Sequence, residues 1–303
     1  MTATTKQSQP RLLTRAEVAP FMARSNAKGL RQLAGHLALL TATGTLVAIA
    51  QGPAWLVLAM AAHGVGLVFA FTALHEAIHR TAFGSRWLND AVAWGAGFLV
   101  ALPPNYFRAF HFAHHRYTQI RDHDPELVGK HVATWPGYLL HLSGWRYWAG
   151  NLAVLAAHAG GRVNHPFVKP TQHRHLIAEA RLFAGLYLAI AIVSVYWGRT
   201  EALTYWIIPA LLGQPALRAY LLAEHTDCPL VADMAQNSRT TLTLAPLRRL
   251  AWNMPFHTEH HLFPAVPFHA LPGLHRAMAD KLVNISPGYI AFHRRLAGTF
   301  GRE

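Results

Sequence analysis

The sequence predicts an all-α integral-membrane protein, with about four transmembrane helices in two hairpins and a cytoplasmic helical cap. Three observations carry that prediction. Hydrophobic residues make up 52% of the chain and charged residues only 14%, well under the roughly 25% charged residues of soluble domains. Four apolar runs approach the ~20 residues that a bilayer-spanning helix requires. Finally, the 21 histidines gather in short clusters, several of them where an apolar run ends.

Residues 1–32 are polar and basic (Lys6, Arg11, Arg15, Arg24, Lys28 and Arg31) and read as a cytoplasmic arm ahead of one domain over 33–303. Met1 to Pro10 lacks an apolar stretch followed by a small-residue cleavage site, so the first apolar run is expected to stay as an anchor. That run extends from Leu33 to Ala50. Gln51, Gly52 and Pro53 break it, and Ala54 to Leu74 forms the second, giving a hairpin with a short turn. Leu182–Trp197 and Ala202–Ala223 form the second hairpin, joined by residues 198–201. Pro209, Gln214, Pro215 and Arg218 predict a kink in its last segment, with Arg218 near a polar end or facing the protein interior.

Between the hairpins, Ala91–Leu102 is about half a span and reads as a re-entrant or buried helix. Trp135–Trp148 is rich in Trp and Tyr, which suits the headgroup level or a packed helix equally. Four spans place both termini on one side. The turns at 51–53 and 198–201 hold one Arg between them, whereas most Lys and Arg lie in the arm, the middle segment and the tail. The positive-inside bias therefore assigns these three, and the active site, to the cytoplasmic side of an inner membrane. The chain has 27 Lys plus Arg against 14 acidic residues, a formal charge of +13. A basic surface can mark nucleic-acid binding, but the apolar runs favour a membrane protein with no nucleic-acid partner. Cys228 is the one cysteine, which excludes an intrachain disulfide and any Cys-based cluster and suits a small buried apolar residue.

The histidine clusters carry the chemistry. His75 and His79, in His-Glu-Ala-Ile-His, close the second span one helical turn apart and can grip one ion. His111, His114 and His115 form an H-x-x-H-H motif. Its 111/114 pair shares a helical face, and His115, further around the wheel, is expected to reach a second ion. His257, His260 and His261 repeat the spacing. Neutral imidazole suits zinc, copper, iron and nickel. A mononuclear zinc site takes about four ligands, so eight clustered imidazoles suit two ions. His225 ends the fourth run as His75 ends the second, and is a candidate ninth ligand or a residue behind the ligands. Glu76, Glu259, Asp122, Asp124 and Glu224 are close enough in sequence to orient ligand rings, or to be solvated charges. His123 is read as part of an Asp-Pro turn that supports the second cluster. His36 and His63, alone on apolar faces, read as satisfied core residues.

Residues 75–79 also match the H-E-x-x-H pattern of zinc proteases, which would leave the other six clustered histidines without a role. A non-enzymatic membrane metal carrier is a further alternative, but it needs ionisable residues within the spans, where His36, His63 and Arg218 are the few on offer.

The order H-x-x-x-H, H-x-x-H-H, H-x-x-H-H between two hydrophobic hairpins resembles the membrane fatty-acid desaturase superfamily. The stretches "HEAIHRTAFGSRWLND" at 75–90, "FRAFHFAHHRYTQ" at 107–119, "NSRTT" at 237–241 and "WNMPFHTEHHLFPAVPFHALPGLH" at 252–275 are similar to a bacterial branch related to dihydrorhizobitoxine desaturase. The resemblance implies two non-haem Fe ions held by histidines, O2 as co-substrate and a fatty-acyl or lipid-like substrate. It also implies a separate electron donor, such as a ferredoxin, because His165-Pro166-Phe167 is the nearest text to a cytochrome b5 signature. Hydroxylases and carotenoid ketolases share comparable histidine boxes and remain alternatives. Some relatives carry Asn four residues before the extra histidine of the fourth span, where this chain has Leu221.

Overall fold

The computed structural model describes residues 12–128 and 132–301, so the first residues of the basic arm lie outside it. The described chain is mostly helical, with one two-stranded parallel pairing, β1 (Thr240–Thr241) against β2 (Ile285–Ser286).

A short helix α1 (Arg15–Val18), closed by a capping box between Thr14 and Glu17, precedes α2 (Asn26–Ile49). The predicted first span thus starts earlier than Leu33, because the Ser25 hydroxyl accepts the Lys28 amide and lets the helix begin in polar sequence. Gly52, at φ 81°, makes the turn, and Pro53 opens α3 (Pro53–Val68), which runs on through Phe69 into α4 (Ala70–His79). Arg80 stops α4 in the left-handed conformation. α5 (Arg86–Leu99) lies against α4 as the half-length helix expected there, and α6 (Pro104–Tyr117) follows. The aromatic segment splits into α7 (Trp135–Leu142) and α8 (Trp145–Ala159), because Gly144 takes φ 69° where a side chain would collide with Gln214.

The second hairpin departs most from expectation. Its first arm, α9 (His173–Tyr196), begins well before Leu182. Its buried Glu179 accepts from the Asn105 and Tyr106 amides, so a carboxylate caps the start of α6. The last segment passes through a π-helical turn, Leu203–Ile207, into α10 (Ile208–His225), with Pro215 inside it. Among the described residues three helices are long and apolar enough to cross a membrane, Asn26–Ile49, Pro53–His79 and Pro170–Tyr196. The fourth predicted run is not among them, because Gln214 and Arg218 interrupt its apolar character. Arg218 turns inward, stacked 4.4 Å over the Tyr147 ring.

The remaining elements are short: α11 (Met234–Asn237), α12 (Ala245–Leu250), α13 (His257–Leu262), α14 (Leu271–Met278) and α15 (Tyr289–Ala297). The outward faces of α2, α3 and α9 carry Leu37, Leu46, Leu58, Leu188 and Ile192 exposed, a surface suited to lipid rather than water. His36 and His63 bond the Gly66 and Tyr205 carbonyls at 2.9 and 3.1 Å, which satisfies them as core residues. Cys228 is buried.

Candidate metal centre

Four helices bring the clustered histidines to one place. α4 presents His75 and His79 on consecutive turns, and α6 presents its three histidines from its last two turns. α13 is aimed by the preceding turn, in which Trp252 and Asn253 take φ 49° and 58°. The Trp252 side chain is fully buried against Phe268, and β1 adds a bond from the Thr241 amide to Pro255. α10 supplies His225 at its end.

The nitrogens fall into two groups, each with its ligand atoms within 4.8 Å of one another: His75, His79, His111, His115 and His260, and His114, His225, His257 and His261. This corrects the expected sharing within the second box. His111 pairs with His115, their Nε2 atoms 2.9 Å apart, while His114 turns to the other group. The reason is angular. At 100° per residue, positions four apart differ by about 40° around a helix and positions three apart by about 60° in the opposite sense. The third box divides likewise, His257 with His261 and His260 apart. The groups abut, with the His115 and His261 rings stacked 4.2 Å apart.

The nitrogen spacing and the unpaired atoms fit a metal-binding role. His260 Nε2 lies 3.1 Å from His115 Nε2, and His225 Nε2 lies 3.2 Å from His114 Nε2 and 2.9 Å from His257 Nε2. Nitrogens each ~2.1 Å from a common ion and at right angles to one another lie about 3 Å apart. Both ring nitrogens of His75, His79 Nε2 and His261 Nε2 are buried with no hydrogen-bond partner among the described residues. Such a cluster of orphaned imidazole nitrogens is costly unless an ion accepts their lone pairs. Burial first, then the neighbouring imidazoles, hold His111, His115, His257, His260 and His261 well below the usual histidine range. Their rings are therefore neutral near pH 7, the form that coordinates.

The two groups are held differently. In the second, His114 Nδ1–H donates to Asp124 Oδ1 at 2.9 Å, and His225 Nδ1–H donates to the Asn237 carbonyl at 3.0 Å. Asp124 also accepts the Gln119 and Glu126 amides, and Asn237 Nδ2 donates to Thr118 and Val231. Glu224 lies 3.5 Å from His257 Nδ1. In the first group the Nδ1 atoms of His111, His115 and His260 have no such partner among the described residues, and the rings of His111 and His79 pack against Phe107 and Phe112. Asp124→Asn should therefore weaken metal retention in the second group by about 10- to 100-fold, measured by competition with a chelator.

Of the other acidic candidates, Glu259 bonds Thr240 and His275 rather than a box histidine, and so ties α13 to β1 and α14. Glu76 is fully buried and accepts the Phe268 amide at 3.0 Å. A zinc-protease site at residues 75–79 would use His75 and His79 alone, whereas the structure gathers seven further histidines into the same two groups. Asp122 serves the turn, at φ 63°, and His123 bonds the Arg121 carbonyl, so the turn's support of the cluster runs through Asp124. Gln119, Thr118, Asn237 and His275 were not read from the sequence as site residues, since each is a single polar residue with no repeated spacing.

An apolar cavity of about 530 Å³ is lined by Val65, Phe69, Ala216, Tyr220, Leu250 and Tyr289 among others, with Phe69 and Tyr220 on the helical segments that end in His79 and His225. Phe69 precedes His75 by six residues and Tyr220 precedes His225 by five, helical rises of about 9 and 7.5 Å.

The chain matches the family described as fatty acid desaturase over residues 22–293. It is similar to the sphingolipid delta(4)-desaturase DES1 of Drosophila melanogaster, 25% identical over 255 residues, which are 80% of this chain and 72% of that protein. It is also similar to DES1 of Bos taurus, 23% identical over 70% of this chain and 62% of that protein. The DES1-like protein of Arabidopsis thaliana is 23% identical over 65% and 55%, so the match spans less than two thirds of the bovine and plant proteins.

Proposed function

We propose, from the premise that this chain belongs to the fatty acid desaturase family, that it is an O2-dependent membrane di-iron desaturase acting on a fatty-acyl or lipid-like chain. The observation that carries the reading is the division of nine histidines into two abutting groups with converging nitrogens. His75, His79, His111, His115 and His260 would hold one iron ion, and His114, His225, His257 and His261 the other. When bound, an iron pair supplies the dioxygen chemistry needed to take hydrogen from an unactivated C–H bond. The reaction consumes one O2, two electrons and two protons, and turns a –CH2–CH2– unit into –CH=CH– with release of two waters.

The chain's own residues shape that chemistry. Asp124 and the Asn237 carbonyl fix the rings of His114 and His225 so that Nε2 faces inward. Phe71 and Phe107, with ring centres 5.3 Å apart beside His75 and His111, exclude water on that side. The cavity has the apolar wall and volume of a lipid-tail pocket. On its lining the Tyr138 hydroxyl donates to His293 Nδ1 at 3.0 Å while His293 Nε2–H donates to the Ala219 carbonyl, which leaves the Tyr138 oxygen as an acceptor for a head group. The relatives named for sphingolipids extend the candidate substrates to sphingolipids.

The reading includes four spans, with the broken α10 segment as the last, both termini and the centre on the cytoplasmic side of an inner membrane, and a separate electron donor. The inward placement of Arg218 and the scarcity of basic residues in the two outer turns support it.

Expression in a lipid-producing host, followed by mass spectrometry of total lipids, tests the activity. A product lacking two hydrogens is expected, and it should vanish in His260→Ala. A gain of one oxygen instead would make the chain a hydroxylase, and no lipid change from iron-loaded protein would remove the enzymatic reading.

A further inference from the structure

The outer face of α6 carries Asn105, Arg108, Phe112 and Arg116, spaced three or four apart. Phe112 is an exposed aromatic ring among arginines, with 36% of its surface open. One side of it meets the His79 ring, centroids 5.2 Å apart. The Arg108 guanidinium lies 4.4 Å from its centroid and also donates to the Ile78 carbonyl. Arg80 and Arg86 reach the same neighbourhood, 3.6 and 3.7 Å from Asp90, and Arg80, Asp90 and Arg108 line one shallow cleft. Four arginines against one aspartate leave this face at about +3 by simple count.

Among the nine clustered histidines only His79 and His225 are not fully buried. His225 is enclosed by the Gln119 side chain on its carbonyl and the Asn237 carbonyl on its ring, near the Asp227–Arg295 ion pair. His79 is instead approached from outside through an aromatic ring in a basic surround.

We propose that this face is where reducing equivalents enter: an acidic one-electron carrier protein docks on Arg80, Arg86, Arg108 and Arg116 with its redox group over Phe112. Each docking event oxidises the carrier by one electron and reduces the centre by one, so two events serve each double bond. The electron crosses from the carrier through the Phe112–His79 contact. Charge complementarity speeds the encounter and orients the carrier. Anionic lipid headgroups would also suit the arginines, but they give no reason for an exposed ring leading onto His79. The inference rests on the desaturase reading of the site.

The test uses the full chain in lipid nanodiscs, loaded with iron, and a plant-type [2Fe–2S] ferredoxin of acidic surface as the probe. Arg86→Gln/Arg116→Gln should weaken ferredoxin binding about tenfold at low salt, a difference that closes at high salt, while dithionite-driven turnover is unchanged. Phe112→Leu should keep ferredoxin affinity but slow stopped-flow reduction by ferredoxin relative to reduction by dithionite. Unchanged affinity in the arginine variant overturns the proposal, as does an unchanged ratio of reduction rates in Phe112→Leu. Loss of binding to phosphatidylglycerol vesicles with ferredoxin binding intact overturns it in favour of a lipid contact. Absence of any dithionite-driven turnover in the unaltered protein defeats the desaturase reading instead, and the ferredoxin affinities still decide the docking face.

Discussion

Alanine at His115 is expected, for the di-iron centre proposed above, to lower iron content from two ions per chain to at most one, and to reduce lipid conversion by far more than the ~100-fold that loss of a mere supporting residue costs. His115 Nε2 stands within 3.1 Å of both His111 Nε2 and His260 Nε2, so its removal opens one group on two sides. The more telling comparison is between neighbours in the same motif. His111→Ala and His115→Ala should deplete the same ion and give matching metal spectra. His114→Ala, adjacent in sequence, should deplete the other ion and resemble His261→Ala. Metal analysis with Mössbauer spectroscopy on each variant reads this directly. If His111→Ala and His114→Ala left the same residual spectrum, the division into two groups would be wrong. The rings of His111, His115 and His261 are buried and held neutral, so their truncation leaves space rather than an unpaired charge. In His114→Ala the Gln119 and Glu126 amides still hold Asp124, so the variants should still fold in detergent.

The second large effect concerns the scaffold. Gly64 on α3 and Gly213 on α10 bring two helix backbones into contact. A Cβ at Gly64 would lie 1.8 Å from the Pro209 carbonyl oxygen, and one at Gly213 would lie 2.1 Å from the Gly64 carbonyl carbon. Neither clash can be relieved by turning a side chain, so the helices must part. Gly64→Val should exceed the 1–3 kcal/mol of ordinary overpacking and abolish a monodisperse peak on size-exclusion chromatography. Metal retention should fail with it, because α3 leads into the helix of His75 and His79 while α10 ends in His225. Gly35 and Gly95 serve as controls, since nothing lies within 4 Å of a Cβ at either. Alanine there should be neutral, or stabilising by up to ~1 kcal/mol through helix propensity. Equal thermal stability of Gly64→Val and the unaltered protein would refute the close approach. Small residues at such a crossing are the expected device for membrane helices, which gain little from burying apolar surface against one another in lipid.

The sequence by itself determined the helical, membrane-embedded class, because long apolar runs and repeated histidine spacing are local properties that composition and periodicity expose. It also located the eight box histidines and pointed to His225, and it separated His36 and His63, which carbonyl groups satisfy. The extent of α2 was only partly legible, since the Ser25 cap and the polar first turns carry no hydropathy signal. Only the tertiary structure decided which histidines stand together. Spacing placed 111 with 114, but the direction in which α6 faces α4 and α13 selects 111 with 115, because 114 and 115 lie about 100° apart around the helix, on opposite sides of 111. The supporting residues were likewise beyond the sequence: Asp124 reaches His114 through a turn, and Asn237 joins His225, 12 residues before it, to the Thr118 carbonyl, 119 residues before it. A metal-binding motif is written in consecutive residues, whereas the orientation of each imidazole depends on partners that only the folded chain brings within hydrogen-bonding distance.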